Sequence, residues 1–254
     1  MLFRSFSRPP SRVNRSQTVK LFERALALDP ASVEAQSWLA IALAARVLDE
    51  MADSAPEDTE RAERLVEQVL LAAPRNPRAH YARGHLRRTQ GRPEDAIPEY
   101  ETVLADNRNW VFAIFALGHC KFLTGSIEET IPLIEKAIRL SPRDPSIDIW
   151  YMTIGIVHSV QSRTDEAILW LEKARGANPA APLTQGHLAA AYALKGEIGS
   201  AARALAEARR LSGDGHYSSI TRLKAARYFG VPEIRALYEA TYFAGLRKAG
   251  MPEE

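Results

Sequence analysis

Side chains that could do chemistry are scattered along this chain instead of being gathered in motifs. The six histidines are His80, His85, His119, His158, His187 and His216. The nearest pair, His80 and His85, lies five residues apart, a poor spacing for sharing a metal on one helix face. The single cysteine, Cys120, excludes an internal disulfide and a multi-thiolate metal site, and it falls in a helical run where we expect it to be buried and inert. Neither a phosphate-binding glycine loop nor an HExxH motif is present, so we predict no catalytic, cofactor or metal site and no enzyme.

Paired carboxylates are the other candidates for acid–base chemistry. They occur as Glu94-Asp95, Glu128-Glu129 and Asp165-Glu166. Each pair stands at the start of a helical run, where acidic side chains interact favourably with the N-terminal end of the helix dipole. Their recurrence at one position of a repeated pattern favours this structural role over catalysis.

The charge distribution argues against a nucleic-acid partner. The formal net charge is +2, and the stretch up to Phe22 contains bases but no acid. Those bases are Arg4, Arg8, Arg12, Arg15 and Lys20. Because the basic surplus lies on the N-terminal stretch and not on the body of the chain, we do not expect nucleic-acid binding.

No segment is expected to enter a membrane. The longest apolar stretch, from Trp38 to Ala45, is far short of the roughly 20 residues that a bilayer requires. The N-terminal stretch lacks the apolar region of a secretory signal. It is rich in Arg and Ser like a transit peptide, but Pro9 and Pro10 disfavour the helix that such peptides form, so we expect a disordered tail over residues 1–15. A cytoplasmic location is predicted.

A period of 34 residues dominates the sequence. It separates Gly84 from Gly118, Gly91 from Gly125, and Ala167 from Ala201. Four copies of a helix that ends at a proline read FERALALDP (22–30), LVEQVLLAAP (65–74), LIEKAIRLSP (133–142) and LEKARGANP (171–179). A helix–turn–helix unit of about 34 residues is typical of tetratricopeptide repeats, and the chain resembles that family.

The resemblance implies an all-α fold, a right-handed α-solenoid of helical hairpins. It places five repeats over 33–76, 77–110, 111–144, 148–181 and 182–215. A partial repeat with only its second helix occupies 16–32, so the chain looks cut at this end unless the terminal repeat is simply atypical. The first repeat carries about ten extra residues around Asp49 to Thr59, predicted as a longer helix or a loop.

Small residues recur where antiparallel helices must approach closely. Gly84, Gly118, Gly155 and Ala189 take this place on the first helix of each pair. Gly91, Gly125 and Gly196 are suited to a left-handed turn between the helices.

The period stops after Gly215, and two more helices are predicted, over Tyr217 to Phe229 and Pro232 to Ala249. Apolar residues recur at helical spacing in the second of them: Leu237, Tyr238, Thr241, Tyr242 and Leu246. We interpret residues 216–254 as capping helices that bury the open face of the fifth repeat. The alternative is a surface for self-association, which would make the chain a homodimer.

In the family the first helix of each repeat lines a concave groove, which makes the groove the predicted binding site. The groove positions map to Arg78, Tyr81, His85, Arg88, Phe112, Phe115, His119, Phe122, Ile149, Met152 and Ile156. Aromatic residues and arginine are favoured in binding hot spots, although some of the phenylalanines could instead belong to the core. We predict a scaffold that binds a protein or a peptide. The acidic end of that ligand is expected to lie near Arg78 and Arg88.

A more specific resemblance rests on four segments. They are LSPRDP (140–145), WLEKA (170–174), LAAAYALKGE (188–197) and YEATYFAGLRKAGMPEE (238–254). These are similar to the C-terminal repeat region of rhizobial-type bacterial proteins that carry a class III adenylate/guanylate cyclase domain, or in related architectures a winged-helix domain, ahead of the repeats. The resemblance implies a signalling or regulatory module whose output domain is absent here.

Overall fold

The computed structural model describes residues 11–213, 215–225 and 228–254, and every regular element within them is helical. The paired helices are α1 (Arg12–Leu28), α2 (Val33–Leu48), α3 (Ala55–Ala72), α4 (Pro77–Thr89), α5 (Pro93–Asp106), α6 (Val111–Leu123), α7 (Ile127–Leu140), α8 (Ile147–Val160), α9 (Thr164–Ala177), α10 (Pro182–Lys195) and α11 (Ile198–Ser212). A 3₁₀ turn (His216–Ser218), α12 (Ile220–Ala225), α13 (Pro232–Tyr238), a π-helical turn (Glu239–Phe243) and α14 (Ala244–Lys248) follow. The predicted all-α class with tandem helical hairpins is confirmed.

Internal contacts divide the chain into two compact units. The N-terminal unit comprises residues 1–120 and 139–146, and the C-terminal unit comprises residues 121–138 and 147–254. The division passes through α6 and α7, each of which contributes residues to both units.

Turn chemistry explains where the helices begin and end. The side chains of Ser11, Ser32 and Asn76 accept hydrogen bonds from backbone N–H groups in the first turns of α1, α2 and α4. Gly91, Gly125 and Gly196 adopt the predicted left-handed conformation, with φ of 68°, 92° and 90°. In the other two hairpins non-glycine residues take this strained role, Glu50 (φ 58°) and Ser162 (φ 59°).

Two of the predicted crossing points depend on glycine. A Cβ atom on Gly84 would lie 2.6 Å from the ring of Tyr100 on α5. A Cβ atom on Gly155 would lie 2.7 Å from Leu171 on α9. Glycine thus permits α4 to pack on α5, and α8 on α9, at a distance that any larger residue would increase.

The N-terminal stretch differs from the prediction. Residues 1–10 lie outside the described residues. Helix α1 begins at Arg12, so the prediction that a disordered tail extends to residue 15 is wrong for residues 12–15. Arg15 forms an ion pair of 2.5 Å with Asp49, the residue that follows α2. The extra residues of the first repeat therefore form a loop over 49–54 and the start of α3, and the loop helps to hold α1.

In the C-terminal unit, residues 228–254 form what we call the C-terminal segment. It packs on α8 and α10, the first helices of their repeats, with its π-helical turn and α14 against α10. The backbone N–H of Val231 also donates to the carbonyl oxygen of Leu123 at 2.9 Å. Tyr238, Tyr242 and Leu246 are at most 6% exposed. Because these side chains are buried within the chain, they do not offer the exposed surface that the self-association alternative requires.

Candidate functional site

The predicted groove residues fall into both units. The N-terminal unit holds Arg78, Tyr81, His85, Arg88, Phe112, Phe115 and His119. The C-terminal unit holds Phe122, Ile149, Met152 and Ile156.

In the C-terminal unit, side chains of the C-terminal segment occupy the predicted groove. Phe122 is 1% exposed, and its ring meets that of Tyr238 edge-on at 6.0 Å between centroids. Ile156 is buried in the same cluster, and Met152 packs against it; only Ile149, half-buried, lies outside that cluster. The assignment of Phe122, Met152 and Ile156 to an open groove is therefore wrong, since the C-terminal segment covers this face.

The N-terminal unit instead carries an aromatic and polar cluster on α4, α5 and α6. The ring of Tyr81 stacks on Trp110 at 5.3 Å and lies 4.3 Å from the ring of His85. His85 Nδ1 is 2.8 Å from the hydroxyl of Tyr100, which is fully buried. Tyr81 and His85 are themselves only 8% and 7% exposed, so they form the floor of this surface and not its rim.

Arg88 lies beside this floor. Its Nη2 donates to Nδ1 of His119 at 3.2 Å, and its Nε is buried and has no hydrogen-bond partner in the structure. The side chain as a whole is half-buried, as are those of Phe115 and His119, whose rings are 6.2 Å apart. We call Tyr81, His85, Arg88, Tyr100, Phe115 and His119 the Arg88 site.

Burial and the charge of Arg88 set the protonation of the site. Burial, reinforced by Arg88, lowers the pKa of His119 to about 3 and lowers the pKa of His85 well below its ordinary value. Burial raises the pKa of the Tyr81 and Tyr100 hydroxyls and raises the pKa of Cys120 to about 11. At neutral pH the guanidinium is therefore a fixed positive charge among uncharged rings.

Other arginines of the same unit have acidic partners. Arg46 meets the carboxylate of Asp58 with two hydrogen bonds, of 2.7 and 2.5 Å. Arg83 donates to Glu99 at 2.7 Å. Arg88 has no ion pair among the described residues, and the ionisable groups that act on it most strongly are tyrosines and Cys120.

Arg78 and Phe112 lie nearer to solvent than the floor of the site. Arg78 is 3.6 Å from a carboxylate oxygen of Glu34, and its guanidinium lies 5.1 Å from the centre of the Trp38 ring. Phe112 is 38% exposed. Of the two arginines predicted to receive an acidic end, Arg88 is thus the one whose charge is still uncompensated.

Sequence reasoning missed Tyr100 and Trp110. Tyr100 lies on the second helix of its repeat, outside the groove positions of the family, and Trp110 precedes the first residue of α6. The signal that could have found Tyr100 is Gly84, because a glycine at a helix crossing leaves room for a large ring on the facing helix.

His80 and the paired acids, two of the other candidates for chemistry, have structural roles. His80 contacts Glu99 at 2.7 Å and the carbonyl oxygen of Pro74 at 2.9 Å. The paired acids lie in the first turns of α5, α7 and α9, as predicted. Within 11–213, 215–225 and 228–254, no group of three or more His, Cys, Asp or Glu residues could hold a metal ion. No helix in the described part of the chain is long and apolar enough to cross a membrane.

A family of helical-hairpin repeats matches the part of the sequence that forms paired helices in the structure. Residues 55–110 and 81–145 match the family model of the tetratricopeptide repeat. Residues 55–145 thus form tetratricopeptide repeats. No curated protein matches the sequence. The tetratricopeptide match spans α3 to α7 and so includes every residue of the Arg88 site.

Solved structures share this tetratricopeptide architecture. PilF of Pseudomonas aeruginosa is 18% identical, with 86% of this chain and 93% of that chain covered and a TM-score of 0.60. A chain of the APC/C hetero-tetramer Cut9–Hcn1 is 14% identical, with 98% and 44% covered and a TM-score of 0.65. YrrB, a tetratricopeptide protein with an unusual peptide-binding site, is 16% identical, with 81% and 97% covered and a TM-score of 0.50. At these identities the likeness establishes the fold alone.

Proposed function

We propose that the chain is a protein-binding scaffold that captures a segment of a partner protein, extended or helical, at the Arg88 site. The observation that carries the proposal is the uncompensated charge of Arg88 beside the half-exposed rings of Phe115 and His119. Tetratricopeptide proteins bind protein or peptide partners, and the peptide-binding site of YrrB is an example on a similar fold.

The composition of the site suits a peptide. Phe115 and His119 offer ring surface that a partner side chain can cover, and Arg88 offers hydrogen-bond donors at its edge. Aromatic residues and arginine are the types in which binding energy concentrates, because they combine a large contact area with directional donors. Among the described residues of the C-terminal unit, α8 and α10 offer no comparable surface, since the C-terminal segment covers them.

The regulatory role beside a nucleotide cyclase or a winged-helix domain stays a prediction. The comparisons do not support the resemblance on which it rests. The cytoplasmic location and the absence of a nucleic-acid partner also stay predictions, drawn from composition and charge.

A selection from a random peptide library tests the proposal. Phage that display random 12-residue peptides are selected on the immobilised full chain, and enriched sequences are measured by binding of the synthetic peptides. We expect binding that Phe115→Ala weakens at least tenfold. Leu71→Ala, at an 85% exposed leucine on α3, is the matched control and should leave binding unchanged. If no peptide is enriched, or if both variants bind as the wild type does, the site is not a peptide receptor.

A further inference from the structure

The Arg88 guanidinium and the His119 imidazole lie 3.2 Å apart, and no acid among the described residues pairs with the arginine. We propose that the guanidinium of Arg88, positioned by His119, is a receptor for an oxyanion, a carboxylate or a phosphate group carried by the bound segment. The proposal rests on the proposed function, because it specifies the chemistry of the segment that the same site would bind.

Arg88 is a partly buried cation without an acidic partner among the described residues. Removing a guanidinium from water is unfavourable unless an anion and hydrogen-bond acceptors replace the water. Arg46 in the same unit meets that requirement through Asp58, whereas Arg88 has neutral acceptors, His119 and the hydroxyl of Tyr100, and an unsatisfied Nε. Arg88 therefore lacks in the isolated chain the acidic partner that Arg46 has, and a bound oxyanion would supply it.

The hydrogen-bond donors argue for the same ligand. Arginine has no acceptor, so in its contact with Arg88 the Nδ1 of His119 must be the acceptor. A neutral imidazole that accepts at Nδ1 carries its proton on Nε2, on the far side of the ring from the guanidinium. His119 therefore positions the guanidinium, and Arg88 itself provides the donors for a ligand. A charged guanidinium, which offers donors and no acceptor, fits an oxyanion and disfavours an ammonium group.

The surroundings strengthen the interaction. Tyr81, His85 and Tyr100 are buried and uncharged at neutral pH. No carboxylate among the described residues is paired with Arg88 and would compete for the cation. A charge-assisted hydrogen bond is stronger in such an environment than at an open surface, where water screens it. The site should therefore discriminate clearly between an acidic peptide and its neutral counterpart.

Three sources can supply the oxyanion: an Asp or Glu side chain, the carboxylate at a chain end, or a phosphorylated residue. The peptide enriched in the selection is synthesised in four forms. One is neutral and amidated at its C-terminus; the others add a free C-terminal carboxylate, a single Glu, or a phosphoserine. The dissociation constant of each form is measured by calorimetry with the full chain.

We expect at least one anionic form to bind tenfold or more tightly than the neutral form. Arg88→Gln should abolish this preference, and His119→Phe, which keeps a ring but removes the acceptor that positions the guanidinium, should reduce it several-fold. Arg87→Gln is the matched control, since Arg87 is the neighbouring half-buried arginine and contacts Gln90 instead. It should leave the preference unchanged.

The outcomes separate this inference from the proposed function. Equal binding of all four forms, still sensitive to Phe115→Ala, would overturn the oxyanion receptor and leave the peptide site intact. A preference for anionic forms that survives in Arg88→Gln would also overturn it. Thermal unfolding of each variant checks that the chain is folded, and Arg88→Gln is expected to fold because glutamine can still donate to Nδ1 of His119.

Discussion

The first helices of the repeats differ between the two units in whether another segment of the chain covers them. In the C-terminal unit, α8 and α10 lie beneath the C-terminal segment, and rings such as Tyr242 stack on His187 at 4.1 Å between centroids. In the N-terminal unit, α4 presents Arg88 with no acidic partner among the described residues. The same repeat pattern thus produces a closed core in one unit and a candidate receptor in the other.

The difference shows that repeat position alone does not decide what a side chain does. Phe115 and Phe122 both occupy groove positions on α6, yet one is half-buried and the other is 1% exposed. What separates them is a non-repeating segment that supplies Tyr238 to cover Phe122.

The largest effect is expected from truncating the two phenylalanines. Phe122→Ala leaves a cavity in the core of the C-terminal unit and should lower the free energy of unfolding by about 3–5 kcal/mol. Phe115→Ala should cost about 1 kcal/mol, because much less of its ring is removed from water. Urea denaturation followed by circular dichroism measures both. Equal losses would mean that the two faces are equally closed.

A second prediction concerns how closely the C-terminal segment approaches α10. A Cβ atom on Gly245 would lie 2.5 Å from the carbonyl oxygen of Ala190 and 2.8 Å from its Cα. Because backbone atoms cannot rotate away, Gly245→Ala should cost about 1–3 kcal/mol. Faster hydrogen exchange in α10 and α14 should accompany the loss. Gly199→Ala, where the nearest atom is 3.7 Å away at the end of an arginine side chain, is the control.

A third prediction concerns the pH dependence of the N-terminal unit. His85 and His119 stay neutral in the folded chain to well below pH 6.5, whereas in the unfolded chain they bind protons near their ordinary pKa of about 6.5. Their contribution to stability is therefore fully present above pH 6.5 and is lost as the pH falls towards about 3. The slope is at most about 1.4 kcal/mol per pH unit for each histidine.

Denaturant titrations between pH 7 and pH 4.5 measure this slope. His119→Gln keeps an acceptor for Arg88 but cannot titrate, so its slope should be smaller than that of the wild type. An unchanged slope in this variant would show that His119 titrates normally and that its surroundings are more polar than the structure indicates.

The smallest effect is expected for Arg88→Gln on stability. Since the guanidinium has no ion pair among the described residues, its loss should change the free energy of unfolding by less than about 1 kcal/mol, in either direction. Arg46→Gln is the contrasting variant, because it leaves the carboxylate of Asp58 buried without its partner and should be clearly destabilising. Similar losses in both variants would indicate that Arg88 has a structural role.

The helices and turns could be predicted from sequence because each depends on local chemistry. Prolines two residues after the ends of α1, α3, α7 and α9, and glycines at positive φ, set the hairpins directly. The left-handed backbone conformation of Glu50 and Ser162 was not predicted, since nothing in their residue type requires it.

The candidate site was only partly predictable. The repeat register placed Tyr81, His85 and Arg88 on one helix face, but no local pattern shows that Arg88 lacks an acidic partner. Glu94 and Asp95 follow it closely in sequence and serve instead in the first turn of α5. The burial of Phe122 could not be predicted either. The residues that cover it lie more than a hundred positions later in the sequence and do not follow the repeat pattern.

The most direct test of the contrast between the units is to locate a bound peptide. Aromatic ¹H–¹³C NMR spectra of the full chain are recorded with and without a peptide enriched in the library selection. We predict that the resonances of Tyr81 and Phe115 shift on binding, while those of Tyr238 and Tyr242 stay in place. Shifts confined to Tyr238 and Tyr242 would contradict the account, since they would place the binding surface under the C-terminal segment.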